Sequence, residues 1–171
     1  MNRSFAAALA ALALCAPALA QDTKAARAGG EEKPGLPAWI VTCSNANPGG
    51  AFLCKAEQTL TMASSGQRIV AIAFQRDAAD KNALKALLQL PHGIRLADGI
   101  EFWVDDSEHQ KAPIQHADQN GSYSVITVAP ALEKALRNGT TLKVLTKPLA
   151  GNDLIVELTL DGFSAAADHL K

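Results

Sequence analysis

The chain has 171 residues, with 16 Lys and Arg against 17 Asp and Glu and a net charge of −1. The basic residues are scattered singly and are not interleaved with aromatics, which excludes the clustered basic surface of a nucleic-acid binder. Beyond residue 20 no apolar run is long enough to cross a bilayer as a helix, and the remaining length suits one domain with a single core.

The first twenty residues are read as a secretory signal. Arg3 supplies the positive start, residues 5–16 form an apolar stretch, and Ala18-Leu19-Ala20 ends in the small-x-small pattern of a cleavage site. Pro17 breaks the run, which is too short for a lasting anchor, so the mature protein is expected to begin near Gln21. Leu14 stands before Cys15 where lipid attachment needs a small residue, so acylation is not expected.

With Cys15 discarded, Cys43 and Cys54 remain as an even pair with ten residues between them. In an oxidising compartment this reads as one short-loop disulfide, contributing roughly 3 kcal/mol in the chain-entropy picture. A redox or metal role has little support, because no Cys-x-x-Cys spacing or Cys/His cluster is present.

Residues 21–35 carry Gly29-Gly30, Glu31-Glu32 and Pro34 and no large apolar side chain, as a flexible leader would, and the folded domain is placed at 36–171. From there short apolar or alternating segments are separated by turn residues, the pattern of a sandwich or barrel. Residues 38–43 predict the first strand, and Asn45, Asn47, Pro48, Gly49 and Gly50 a loop. A second strand starts at Phe52-Leu53-Cys54 and runs through Leu60 and Met62, so a bridge between the cysteines would clamp the loop. After the Ser64-Ser65-Gly66 turn, residues 69–74 are apolar enough throughout for a central strand paired with the second.

Residues 83–90 have a partly helical Leu84, Leu87, Leu88 spacing, but Leu90-Pro91-His92-Gly93 forces extended or turn backbone before Pro91, which favours a strand. Residues 100–104 predict a strand, followed by the polar turn Asp105-Asp106-Ser107-Glu108 and a return over 112–116. Asn120-Gly121 is a turn signal, and residues 122–128 the next strand. Pro130 then opens a helix with Leu132 and Leu136 on one face, an exposed Glu133–Arg137 pair, and an Asn138-Gly139 stop. Residues 142–146 and 154–160 predict a last strand pair, and 164–170 a short terminal helix.

Several of these elements, in order, resemble the invasion-associated locus B (IalB) family of bacterial exported proteins. The residues that carry the resemblance are Trp39-x-Val41-x-Cys43, Cys54-x-x-x-Gln58, Leu90-Pro91-x-Gly93 before Leu96, Ala112-Pro113, Leu132-x-x-x-Leu136-x-x-Gly139 and Leu158-x-Leu160-x-Gly162-Phe163-Ser164-x-Ala166. The match spans essentially the whole mature domain, and its specificity lies in order and spacing, since each element alone is ordinary. The resemblance implies an all-β, immunoglobulin-like antiparallel β-sandwich, exported to the periplasm or cell envelope, in a family named for a member linked to entry into host erythrocytes. It brings no catalytic residues. One frequent family feature, a second cysteine pair around an Asn-Gly turn, is missing, with His116 and Ser122 in the positions of those cysteines, and a looser outer loop is expected.

No Gly-x-Ser-x-Gly occurs, and Ser64-Ser65-Gly66 is better explained as a hairpin turn than as a nucleophile. The weak alternative is an envelope metal-binding protein or enzyme drawing on His109, His116 and the acidic turn at 105–108. His92 and His169 are expected at the surface. Trp39, Trp103 and Phe163 are assigned to the core in preference to a ligand groove. The loop 44–51, with Asn45, Asn47, Gly49 and Gly50, is the candidate contact surface, because a bridge at its base lowers the entropy lost on binding. The expectation is an exported periplasmic or envelope binding module without cofactor or catalysis, whose partner is a protein of the envelope or a host surface.

Overall fold

Alternation along the strands decides the architecture. The computed structural model of the protein describes residues 39–45, 48–80 and 82–170. The signal, the leader and Asn47 lie outside the described residues. Ten strands form: β1 (Ile40–Ser44), β2 (Leu53–Thr61), β3 (Arg68–Arg76), β4 (Leu84–Leu90), β5 (Ile100–Val104), β6 (Gln110–Ala112), β7 (His116–Asp118), β8 (Gly121–Val128), β9 (Thr141–Thr146) and β10 (Leu154–Thr159). Helix α1 (Pro130–Asn138) links β8 to β9, and α2 (Phe163–Ala167) follows β10.

Every ladder is antiparallel, in a six-stranded sheet ordered β1-β2-β3-β4-β8-β7 and a four-stranded sheet ordered β10-β9-β5-β6. Val70, Ile72 and Phe74 of β3 and Leu84, Ala86, Leu88 and Leu90 of β4 turn inward from the larger sheet. Ile100, Phe102 and Val104 of β5, Leu142 and Val144 of β9, and Val156 and Leu158 of β10 meet them from the smaller one. The all-β sandwich is what this two-residue period requires when each sheet must bury one face.

Leu132 and Leu136 of α1 complete this core, and the void left among the two sheets and α1 measures about 10 Å³. That is barely the space of one water, so this void among the described residues is no ligand chamber. Pro130 occupies a first-turn position, where its missing N–H costs nothing, and the Gly139 N–H closes the helix on the Ala135 carbonyl at 2.7 Å.

Three details differ from the sequence expectation. The return strand over 112–116 is two short strands in different sheets, β6 on β5 and β7 on β8. Pro113 between them has no N–H for a ladder, and its carbonyl instead accepts the Ser124 hydroxyl at 2.8 Å. The Glu133–Arg137 pair is mostly covered, with side chains 20 and 28 % exposed. Glu133 also binds Arg76 of β3 at 2.9 Å, and Arg137 reaches Asp168 at 2.8 Å, so the pair sits where α1 meets the sheet and α2. The terminal helix starts at Phe163 and stops at Ala167, although Leu170 beyond it is still buried.

Three aromatics of the core cluster together, Trp39, Phe74 and Phe163, with ring centroids 4.9–5.7 Å apart in tilted and edge-to-face contacts. Trp103 is buried as well, at 7 % exposure, but it is not a core anchor. Because Ile100, Phe102 and Val104 take the inward positions of β5, Trp103 turns to the opposite face, opposite Lys143 and stacked on His109 at 3.8 Å.

Candidate functional site

With the interior closed, contact surfaces must be sought on the outside of the sheets. The same alternation that buries Val70, Ile72 and Phe74 turns Ala71, Ala73 and Gln75 outward on the larger sheet. Register then aligns them with residues distant in sequence. One row across the sheet runs Thr59, Ala71, Gln89, Tyr123, His116, and the next runs Ile40, Glu57, Ala73, Leu87, Val125. The two alanines are too short to fill their positions between longer neighbours. A depression of about 340 Å³ results, bounded by Lys55, Glu57 and Thr59 on β2 and Leu87 and Gln89 on β4.

Charge on this face is largely paired. Lys55 binds Glu57 at 2.5 Å, and Lys85 pairs with Asp77, whose carboxyl is held below its ordinary range chiefly by that lysine. Arg68, at the start of β3, makes no ion pair among the described residues and donates to the Gln89 amide oxygen.

At one edge of the sheet Cys43 and Cys54 stand directly opposite each other in the β1–β2 ladder and form the expected disulfide, with Cα atoms 4.0 Å apart. The bridge closes the base of the loop 44–51, in which Asn45, Gly49 and Gly50 are exposed. Three large apolar side chains stand open to solvent on this hairpin: Ile40 at 65 % exposure, Phe52 at 63 % and Leu53 at 44 %. The apolar Phe52-Leu53 pair beside the loop was visible in the sequence. It read there only as the start of a strand, because exposure is not a local property.

His109 and His116 lie on different sheets. His109 stacks on Trp103 beside the four-stranded sheet and lies 3.4 Å from Glu101, whose carboxyl is held low first by Lys111 and then by His109. His116 of β7 stacks on Tyr123 at 4.7 Å on the six-stranded sheet. Withdrawal from water and the neighbouring Asp118 push the Tyr123 phenol above its ordinary pKa. Each histidine thus has its own aromatic partner, and among the described residues no group of three or more His, Cys, Asp or Glu side chains is placed to hold a metal ion. His92 and His169 are exposed, as expected.

The β7–β8 hairpin, where the second cysteine pair is missing, is closed without it. The Asn120 N–H donates to the Asp118 carboxylate at 2.7 Å, and His116 stacks on Tyr123, its partner in the ladder.

Among known proteins, the sequence model described as Invasion associated locus B (IalB) protein matches residues 39–171. The crystal structure of invasion associated protein b from Bartonella henselae superposes with a TM-score of 0.69 at 22 % identity, covering 79 % of this chain and 91 % of that one. No curated protein matches the chain. The fold agrees with that structure, and the family match runs from Trp39, at the head of β1, past the end of α2: the chain belongs to the invasion associated locus B family.

Proposed function

We propose that the protein is an exported, non-catalytic interaction module of the bacterial periplasm or cell envelope that meets a protein partner through its bridged β1–β2 edge. The observation that carries this reading is the exposure of Ile40, Phe52 and Leu53 on one disulfide-tied hairpin. Exposing large apolar side chains to water costs free energy, and a partner that covers them lowers it. The bridge ties the two ends of the loop together before contact, which lowers the entropy lost on association. A signal-like first twenty residues and a disulfide both suit an oxidising compartment outside the cytoplasm. Whether the partner belongs to the bacterial envelope or, as the family's name suggests, to a host cell is decided by the same experiment.

That experiment is co-purification of the mature chain from crosslinked envelope and, separately, from host-cell membranes, with a Phe52→Ser/Leu53→Ser variant in parallel. A partner retained by the wild type and lost by the variant supports the reading. Partners bound equally by both proteins, or turnover of an envelope substrate, would sink it.

A further inference from the structure

Two turns singled out in the sequence, Leu90-Pro91-His92-Gly93 and Asn120-Gly121, converge in space beside the β2–β3 turn. Between them lies a second depression of about 270 Å³, lined by Arg68, Gln89, Pro91, His92 and Asn120 together with Gln67 and Ile69. The convergence depends on Gly121. Its φ is +148°, and a Cβ there would sit 2.3 Å from the Leu90 carbonyl oxygen, so only glycine lets the two turns approach this closely.

The polar groups of this notch are ordered in a chain. Asn120 offers its backbone carbonyl to the Gln89 amide nitrogen at 2.9 Å, which fixes which way the Gln89 amide points. The Gln89 amide oxygen then accepts from Nη1 of Arg68. One edge of the guanidinium is thereby held and the rest of its donor fork is left for a ligand. Imidazole Nε2 of His92, on the opposite lip, lies 3.3 Å from the Gln119 carbonyl oxygen. The Ala71–Ala73 depression opens at the same two residues, since Arg68 and Gln89 line both.

We infer that this notch is a carboxylate-binding site, in which Arg68 grips the carboxylate through its free donors while an uncharged ligand body lies along the Ala71–Ala73 floor. A planar guanidinium matches a carboxylate in two parallel hydrogen bonds. A single such cation suits one negative charge. A phosphate or polyanion would call for several. The body of the ligand is short-chained and uncharged, because Ala71, Ala73 and Leu87 present no charge of their own and Lys55 and Glu57 on the rim are paired with each other. Such a carboxylate is found at the C-terminus of a peptide and on a free short-chain organic acid. The lining of the notch and of the Ala71–Ala73 depression includes none of Ile40, Phe52 and Leu53, so the two proposals are tested by different residues.

The test is a titration of the isotope-labelled protein followed by amide chemical shifts, using N-acetyl-Ala-Ala with a free carboxylate, the same dipeptide as its C-terminal amide, and propionate. The free acid is expected to move the amides of Ile69, Ala71, Gln89 and Asn120, and the capped dipeptide to bind about tenfold more weakly or not at all. Arg68→Gln should abolish the response. Arg68→Lys should keep only part of it, since the charge remains and the fork is lost. Stronger binding of the dipeptide than of propionate marks a peptide terminus as the source, and equal binding marks a small acid. No shifts with either acid, equal response to acid and amide, or an unaltered response in Arg68→Gln with an otherwise native spectrum would overturn the assignment.

Discussion

Trp39 donates its indole N–H to the carbonyl oxygen of Thr159, 3.1 Å away across 120 residues of chain. Gln58 of β2 donates its side-chain amide to the same oxygen at 3.2 Å. The end of β10 is thus held by side chains from the head of β1 and from β2, while the indole ring packs on Phe74 and Phe163. Trp39→Phe keeps the ring contacts and loses one hydrogen bond to an acceptor that Gln58 still satisfies, so the expected cost is about 1 kcal/mol. Trp39→Ala also removes the aromatic packing and should cost about 3 kcal/mol. Urea unfolding curves separate the two, and equal losses would show that the N–H, not the ring packing, carries the whole effect.

The Cys43–Cys54 bridge joins an edge strand to its neighbour and closes a short loop. Its removal by Cys43→Ala/Cys54→Ala should lower stability by roughly 3 kcal/mol and the melting temperature by several degrees. The same shift is expected when the wild type is melted in reductant. A double variant that melts with the wild type would mean that β1 is held by its ladder and by Trp39 alone.

Glu133 sits between Arg76 and Arg137. Partial burial works to raise its pKa, but the two guanidinium groups outweigh that, and the folded-state value lies below the ordinary one. A carboxylate with a depressed folded pKa contributes stability that is fully present above its unfolded value, about 4.3. That stability is lost as the pH falls through the folded pKa. Wild-type stability should therefore fall on acidification below about pH 4 more steeply than that of Glu133→Gln. At neutral pH the variant should be weaker by about 1 kcal/mol, since the network is only partly covered. Parallel stability profiles across the acid range would contradict this account.

Gly139 is required for space. A Cβ there would lie 2.3 Å from Cγ1 of Val104, which is itself buried, and 2.9 Å from both the Ala135 carbonyl oxygen and a carboxylate oxygen of Asp105. Neither the helix carbonyl nor Val104 can retreat cheaply. Asp105 is tied down too, accepting from the Thr140 hydroxyl at 2.6 Å and the Thr141 N–H at 2.9 Å. Gly139→Ala should therefore destabilise by about 1–3 kcal/mol, although the extended backbone at this position would itself accept alanine. Thermal unfolding of the variant is the check, and a rise in melting temperature would show that α1 can shift to make room.

What the sequence determined by itself were the properties that depend on near neighbours along the chain. The strand over residues 69–74, the extended backbone before Pro91, the turn at Asn120-Gly121, and the Pro130 start of α1 are set by local sterics and hydrogen bonding, and each was legible. The pairing of Cys43 with Cys54 was legible too, because they flank one short loop. The face taken by Trp103 was not: Phe102, Trp103 and Val104 are all apolar, so alternation there has no unique phase. Packing against the opposite sheet chose Phe102 for the core. Only the tertiary structure decided which outward side chains share a surface. Register aligns Ala71 with Thr59, Gln89 and Tyr123, and brings Arg68 to two turns that follow it by more than twenty and fifty residues. No local rule encodes these neighbours, because they arise when several strands settle their common register by burying their inward faces together.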